Sequence, residues 1–371
     1  MSAKAQNVVR LREPSAHFHP FGVFNCASEI VALGHWAPDQ TITSKELEEM
    51  IREADPKVRI NIERVAGVRE RRVLPDNLTL EESCVKACEA AFAKTHVTPE
   101  MIDLVIFTSV SKNYLEPATA TILCHRLGIK EAKAFDVSNA CLGFVDGWLI
   151  ADAMIQAGRS RLCLIVGAEV GSSVWKSALT AIKSRSADPT PLLASFTLGD
   201  GAAAMIMGTR LHDRANMSMR AGIRESFGEY SDLCVIPAGG WQMQTNAASL
   251  FAAAQKHGPH LTQQLLTHLQ WAPLQVDVVI PHQASLKAVY RGAVSLKIPM
   301  EKALITLDRF GNMASVSVPF TFSEAVASGK LLPGQKLLVM GYGSGLGVGI
   351  IGIEIHHDAS KKNPSSQWNK K

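Results

Sequence analysis

Cys141 is the residue whose position is best suited to nucleophilic chemistry. It lies in the segment 136–144, DVSNACLGF, where an apolar strand-like run meets a turn of small residues and an amphipathic helical pattern follows. A cysteine at the first turn of a buried helix lies near free backbone N–H groups and the positive end of the helix dipole, which stabilise a thiolate. We therefore predict that the pKa of this thiol is lowered. Taken alone, however, a free cysteine is more often a buried structural residue.

Two distant segments present further polar side chains at the ends of predicted elements. The segment 278–283, VVIPHQ, is a β-branched run that delivers His282 to the C-terminal end of a strand. The segment 309–315, RFGNMAS, is a glycine-containing turn that presents Asn312 before an apolar stretch. Strand ends and the turns after them are where α/β folds assemble catalytic groups. Each residue alone is ordinary, but together with the cysteine they predict one active site.

Cysteine, histidine and asparagine in this chain order resemble the triad of the thiolase superfamily, in particular its β-ketoacyl-acyl-carrier-protein synthase III branch. The similarity covers most of the chain and includes TLGDGAAA at 197–204 and GYGSGLG at 341–347. The second motif lacks the third glycine of the dinucleotide-binding pattern. The resemblance instead implies that it lies beside the nucleophile, with the backbone N–H groups of Cys141 and Ser344 forming an oxyanion hole.

The segment 108–120, TSVSKNYLEPATA, is similar to the head-to-head condensing enzymes that begin bacterial long-chain olefin synthesis. The resemblance implies that Glu116 enters the active site of a partner subunit and acts as a base, whereas ordinary synthase III enzymes usually carry an apolar residue there. A malonyl thioester generates its carbanion by decarboxylation, but a simple acyl-CoA must lose an α-proton to a base. The alternative is that Glu116 is an exposed loop carboxylate without a role.

The resemblance implies an acyltransferase that performs a Claisen condensation through an acyl-cysteine at Cys141, with His282 and Asn312 stabilising the enolate. The favoured reaction joins two fatty acyl-CoAs head to head, without decarboxylation, to a β-keto acid or thioester. A decarboxylating synthase III that uses acyl-CoA and a malonyl-carrier protein stays open. So do a papain-like cysteine hydrolase, against which the strand-turn-helix setting of the cysteine argues, and a non-catalytic partner subunit, against which the complete triad argues.

Strand-like and helical segments alternate along the chain, which predicts parallel sheets covered by helices on both faces. Capping-box patterns at Thr43 and Thr79 each predict the start of a helix. The resemblance implies an α/β thiolase fold in which two pseudo-repeated halves form a five-layered αβαβα sandwich. Its predicted parts are an N-terminal arm (1–19), a half carrying the cysteine (20–190), a half carrying the histidine and asparagine (191–355) and a polar tail (356–371).

Composition fits a large folded enzyme. Of the 371 residues, 47% are hydrophobic and 19% charged, which excludes a disordered or fibrous chain. The net charge of +4 and the absence of a basic block in the sequence give no indication of nucleic-acid binding, although mild basicity suits CoA or an acidic carrier protein. The resemblance implies acyl-CoA substrates, an acyl-carrier protein as a second candidate partner, a homodimer, and no metal or redox cofactor.

The cysteines and the termini predict the cellular setting. The seven cysteines are scattered, which does not resemble a disulfide framework. Cys84 and Cys88 stand four residues apart in a predicted helix and lack the further ligands of a zinc site, so we predict that they belong to the helix core. No apolar signal core opens the sequence and no run approaches the roughly 20 apolar residues of a membrane span. These observations predict a cytoplasmic protein.

Overall fold

The computed structural model describes residues 22–209 and 217–356. The predicted arm (1–19) and all but the first residue of the predicted tail (356–371) lie outside these residues. The strands are β1 (Val23–Asn25), β2 (Glu29–Trp36), β3 (Thr41–Thr43), β4 (Glu70–Arg72), β5 (Leu104–Thr108), β6 (Lys133–Val137), β7 (Leu162–Val170), β8 (Asp200–Gly208), β9 (Met217–Tyr230), β10 (Cys234–Val235), β11 (Gln244–Thr245), β12 (Val278–Pro281), β13 (Lys336–Gly343) and β14 (Gly345–Ile355). The helices are α1 (Ser44–Ala54), α2 (Ile62–Ala66), α3 (Leu80–Phe92), α4 (Thr119–Leu127), α5 (Gly143–Gln156), α6 (Gly171–Ser184), α7 (Ala247–His268), α8 (Leu286–Leu296), α9 (Leu307–Phe310) and α10 (Ser317–Ala327).

Both predicted capping boxes begin helices. At α3, the Thr79 hydroxyl accepts from the backbone N–H of Glu82 at 3.2 Å, and the Glu82 carboxylate accepts from the backbone N–H of Thr79 at 2.7 Å. The equivalent bonds of Thr43 cap α1. Cys84 and Cys88 are fully buried on the inner face of α3, which confirms their assignment to the helix core. Within the described ranges, no group of histidine, cysteine and acidic side chains could hold a metal ion.

The main sheet has two halves that meet at a short strand pairing. One half runs in the order β2-β8-β7-β5-β6, and the other runs β12-β13-β14-β9 with β1 added to β9. Only two residue pairs, Glu29 with Ser218 and Ile30 with Met217, join β2 to β9. The strands β5, β6 and β7 are parallel to one another and β12 is parallel to β13, but the remaining pairings are antiparallel. The prediction of wholly parallel sheets is therefore wrong. The tight connection between β13 and β14 permits only an antiparallel pair, because a parallel pair needs a long crossover.

Helices fill the space between the two halves of the sheet and cover their outer faces. The central layer consists of α5 and α10, whose buried aromatic residues Trp148 and Phe322 stack with ring centroids 6.1 Å apart. The helices α3 and α4 cover the first half of the sheet, and α7 and α8 cover the second. Because helices cover both faces of the sheet, β8 is buried along its whole length. Strands covered on both faces in this way are apolar on both faces. This arrangement confirms the predicted αβαβα sandwich.

The central strand β8 shows how the chain divides between the halves. β8 pairs with β7 and β2 of the first half, whereas β9 pairs with β14 of the second. After β1, which pairs with β9, the chain therefore builds the first half up to Gly208 and then returns to the second half. The division at residues 190 and 191 stays a prediction as a domain boundary. Separately, none of the helices in the described part of the chain is both long and apolar enough to cross a lipid bilayer.

Candidate active site

A cavity of about 2120 Å³ receives side chains from both halves of the protein. Cys141, His282, Asn312 and Ser344 all line it, so the structure brings together four of the five residues that the sequence singles out. Glu116 is the exception: it is exposed and is not among the described residues that line the cavity of its own chain.

Cys141 lies in a tight turn immediately before α5. Ala140 has a left-handed backbone with φ of 46°, an uncommon conformation for a residue with a side chain. Backbone N–H groups of Leu142 and Gly143 donate to the carbonyl oxygens of Asn139 and Ala140 at 3.0 and 3.1 Å and close the turn. The thiol therefore lies at the N-terminal end of the central helix, as its sequence setting predicts.

The predicted lowering of the Cys141 pKa is wrong. Burial raises the pKa of this thiol far above its usual range, and the proximity of the acidic groups of Cys234 and Glu169 raises it further. Removal from water destabilises the thiolate more than the turn and the helix terminus stabilise it. The direction of this shift favours the neutral thiol over the thiolate at Cys141.

His282 follows β12 directly, and its backbone N–H donates to the carbonyl oxygen of Met340 at 2.6 Å. Burial lowers the pKa of His282 to about 4, so its imidazole is neutral at pH 7. The ring Nδ1 is buried and has no hydrogen-bond partner among residues 22–209 and 217–356. A neutral imidazole can donate a hydrogen bond to an oxygen that gains negative charge.

Asn312 is held by hydrogen bonds on both its backbone and its side chain. Its N–H donates to the Thr197 carbonyl oxygen at 2.8 Å, and its side-chain Oδ1 accepts from the backbone N–H of Ala314 at 3.0 Å. The preceding Gly311 has a φ of 70°, and a Cβ there would lie 2.8 Å from the same Thr197 oxygen. With its oxygen occupied, the Asn312 amide can donate through Nδ2 to a ligand in the cavity.

The glycine-rich loop lies against the residue that follows Cys141. A Cβ at Gly343 would be 2.9 Å from the Leu142 Cβ and 3.1 Å from the Leu142 backbone nitrogen. A Cβ at Gly341 would be 2.6 Å from Leu142 Cδ1. Only glycine permits this close approach, which brings Ser344 into the wall of the same cavity as the thiol. The oxyanion-hole role of the two backbone N–H groups stays a prediction.

Two buried side chains that hold the site in place were missed by the sequence analysis. Glu169, at the end of β7, accepts from Ser111 Oγ at 2.9 Å and from Ser315 Oγ, and so links the loop after β5 to the Asn312 turn. Gln283 accepts from the backbone N–H groups of Thr306 and Leu307, each at 2.9 Å. Both are polar residues at strand ends, the same signal that identified His282, but nothing local in the sequence shows which distant groups they bind.

The loop that carries Glu116 is anchored at its base and exposed at its tip. The Lys112 Nζ atom lies 3.1 Å from an Asp136 carboxylate oxygen, and Asn113 Nδ2 donates to Glu81 at 3.0 Å. Beyond these anchors, Leu115 has a relative exposure of 102%, and Glu116 is also exposed. The anchors fix the base of the loop, and Tyr114 and Leu115 line the cavity of the same chain while Glu116 does not.

Sequence comparisons match this chain to β-ketoacyl-acyl-carrier-protein synthases of type III. The family described as 3-oxoacyl-[acyl-carrier-protein (ACP)] synthase III matches residues 135–222, and its C-terminal domain matches residues 266–355. The β-ketoacyl-[acyl-carrier-protein] synthase III of Xanthomonas campestris is 30% identical over 331 residues, which cover 86% of this chain and 95% of that protein. The Histophilus somni enzyme of the same name is 30% identical over 332 residues, with 86% and 96% coverage.

Comparisons with solved structures give the same fold. Xanthomonas campestris OleA with bound lauric acid and lauroyl-CoA superposes with a TM-score of 0.83 at 29% identity, covering 88% of this chain and 99% of that one. A 3-oxoacyl-(acyl carrier protein) synthase III from Xanthomonas oryzae, FabH, superposes with a TM-score of 0.83 at 28% identity, covering 89% and 100%.

Proposed function

Because this chain belongs to the β-ketoacyl-acyl-carrier-protein synthase III family of thiolase-fold acyltransferases, which form carbon–carbon bonds by Claisen condensation, we propose that it joins two fatty acyl-CoAs head to head. The product is a β-keto acid or thioester, and no carboxyl group is lost in the condensation. The single observation that carries this choice is Glu116, an exposed carboxylate on an anchored loop that does not line the cavity of its own chain.

The first half of the reaction is a thioester exchange at Cys141. The sulfur attacks the carbonyl carbon of the first acyl-CoA, the bond from that carbon to the CoA sulfur breaks, and the proton of the cysteine ends on the released CoA thiol. The turn before α5 and the loop at Ser344 supply backbone N–H groups for the oxyanion that forms during the attack. A starting thiol, rather than a thiolate, agrees with the raised pKa of Cys141.

The second half needs a carbanion at the α-carbon of the second acyl-CoA. Glu116 of the partner subunit removes the α-proton, and His282 and Asn312 donate hydrogen bonds to the thioester oxygen of the resulting enolate. The carbanion attacks the acyl group on Cys141, the carbon–sulfur bond breaks, and the sulfur receives the proton that Glu116 took. Each such donor lowers the barrier by roughly 3–4 kcal/mol. A neutral His282 suits this role, because a neutral imidazole still carries one N–H that can donate a hydrogen bond.

The walls of the cavity support a fatty acyl-CoA as substrate. Exposed basic side chains line it on α2, α8 and the segment before α2, namely Arg59, Arg64, Lys287 and Arg291. They can bind the phosphates of CoA. Deeper in the cavity the wall between the second half of the sheet and its outer helices is apolar, with Val279, Met340, Leu346 and Leu296. Lauroyl-CoA in the similar OleA structure is a ligand of this class.

Decarboxylating condensation is the second candidate, because the Xanthomonas campestris and Histophilus somni relatives are named β-ketoacyl-[acyl-carrier-protein] synthase III. In that reaction the second substrate is a malonyl thioester, carbon dioxide leaves, and Glu116 has no proton to remove. Incubation with acyl-CoA alone therefore separates the two: a β-keto product without a malonyl donor supports head-to-head condensation. Product formed only with malonyl-CoA or malonyl-carrier protein supports the second candidate.

The action of Glu116 across a dimer interface can be tested by complementation. Cys141→Ala and Glu116→Ala chains with different affinity tags are co-expressed, and the mixed species is purified from the two single-variant species. A mixed dimer contains one site with both Cys141 and the partner's Glu116 and one site without Cys141, so the purified mixed dimer should give about half of the wild-type rate. Each variant alone should give none, although Glu116→Ala should still form the acyl-cysteine.

The matched control is Glu131→Ala, which removes another exposed loop carboxylate and should leave condensation unchanged. An inactive mixed dimer would exclude action across the interface. Full condensation by Glu116→Ala alone, from acyl-CoA without a malonyl donor, would refute the role of Glu116 altogether.

A further inference from the structure

An ion pair that the proposed reaction does not use lies beside the Cys141 turn. Asp146, in the first turn of α5, accepts from Arg224 Nε at 2.6 Å and from Arg224 Nη2 at 3.3 Å. The two side chains are only 16% and 20% exposed. A two-point contact between a guanidinium and a carboxylate fixes orientation as well as distance. The pair joins the central helix to β9 in the second half of the sheet.

Asp146 also holds the turn itself. Its second carboxylate oxygen accepts from the side-chain amide of Asn139 at 2.5 Å. Asn139 lies two residues before Cys141, and its carbonyl oxygen accepts the Leu142 N–H that closes the turn. The left-handed backbone of Ala140 lies within this turn and needs support from its surroundings. The Asn139 amide connects that strained segment to the ion pair.

Two glycines of β14 leave the space in which Arg224 lies. A Cβ at Gly347 would be 3.4 Å from Arg224 Nη2, and a Cβ at Gly349 would be 3.5 Å from Arg224 Cδ. The same Cβ at Gly347 would be 2.8 Å from Leu142 Cδ2. Arg224 and Leu142 therefore pack against one short stretch of backbone, just after the loop that contains Ser344.

We propose that Asn139, Asp146 and Arg224 form a positioning network that aligns the Cys141 sulfur with the backbone N–H groups of the Ser344 loop. The network acts through the turn and does not touch the substrate. The inference rests on the proposed role of Cys141 as the acylated residue. Its consequence is specific: the network matters for attack on a thioester, which needs sulfur and oxyanion donors aligned, and not for the chemistry of the thiol alone.

Two reactions of the same sulfur separate these requirements. Acylation by a fatty acyl-CoA needs the oxyanion donors, whereas alkylation by iodoacetamide needs only an accessible thiol. Both rates are measured by mass spectrometry of the proteolytic peptide that contains Cys141, across a pH series for wild type, Asp146→Asn and Arg224→Lys. Asp146→Asn removes the charge with little change in shape, and Arg224→Lys keeps the charge but loses the two-point contact. Arg220→Lys is the matched control, because Arg220 also lies on β9 and pairs with Glu354 at 3.5 Å.

We expect acylation to slow by about 10-fold to 100-fold in both network variants, the effect of a small misplacement of reacting groups. Alkylation should stay within about twofold of wild type at each pH, and Arg220→Lys should match wild type in both reactions. Acylation within about twofold of wild type, or an equal loss of acylation and alkylation, would refute the positioning role. Failure of both variants to fold would assign the pair to stability and refute it as well. An unacylated wild type would instead refute the proposed role of Cys141.

Discussion

His282 should make the stability of this protein depend on pH in a direction that can be calculated. Its ordinary pKa is 6.5 and burial lowers the folded-state value to about 4. Between these values the unfolded chain binds a proton that the folded chain does not. The contribution of His282 to the free energy of unfolding is therefore fully present above pH 6.5 and is lost as the pH falls towards 4. At about 1.36 kcal/mol per pH unit, the full loss is about 3 kcal/mol, of which about 2 kcal/mol is lost by pH 5.

The measurement is the free energy of unfolding in urea, followed by tryptophan fluorescence, at pH 7.5 and pH 5. Between pH 7.5 and pH 5, the free energy of unfolding of the wild type should fall by about 2 kcal/mol more than that of His282→Gln, because glutamine does not titrate. Other titrating groups contribute equally to both proteins and cancel in the comparison. The control is His125→Gln, a change at an exposed histidine on α4, which should follow wild type. A parallel decline of wild type and His282→Gln would refute a buried neutral imidazole at this position.

Two further predictions test the loop beside the thiol and a helix cap. Gly343→Ala should slow Cys141 acylation by about 10-fold or more, because its Cβ would lie 2.9 Å from the Leu142 Cβ and displace the loop; acylation at the wild-type rate, measured by mass spectrometry, would contradict this. Thr79→Ala should lower the free energy of unfolding in urea by about 1 kcal/mol, because the N–H of Glu82 loses its cap, and an unchanged value would contradict the capping account.

How far the sequence predicts the site depends on how local each feature is. Cys141, His282 and Asn312 could be identified because each lies at the end of an element whose pattern is readable over a few residues, and the resemblance supplies their chain order. Glu169 was missed because its meaning depends on partners 58 and 146 residues away in the sequence. The ion pair of Asp146 with Arg224 spans 78 residues and has no signal in either segment alone.

Sequence alone determined the capped starts of α1 and α3, the burial of Cys84 and Cys88, the α/β class and the candidate triad, because capping, periodicity and turn chemistry act over a few neighbouring residues. Only the tertiary structure decided that most strand pairings are antiparallel and that the chain changes sheet half after Gly208. It also decided that burial raises the pKa of Cys141 despite its place at a helix terminus. The reason is physical: strand order and loss of water are properties of the assembled core, to which residues far apart in the chain contribute together.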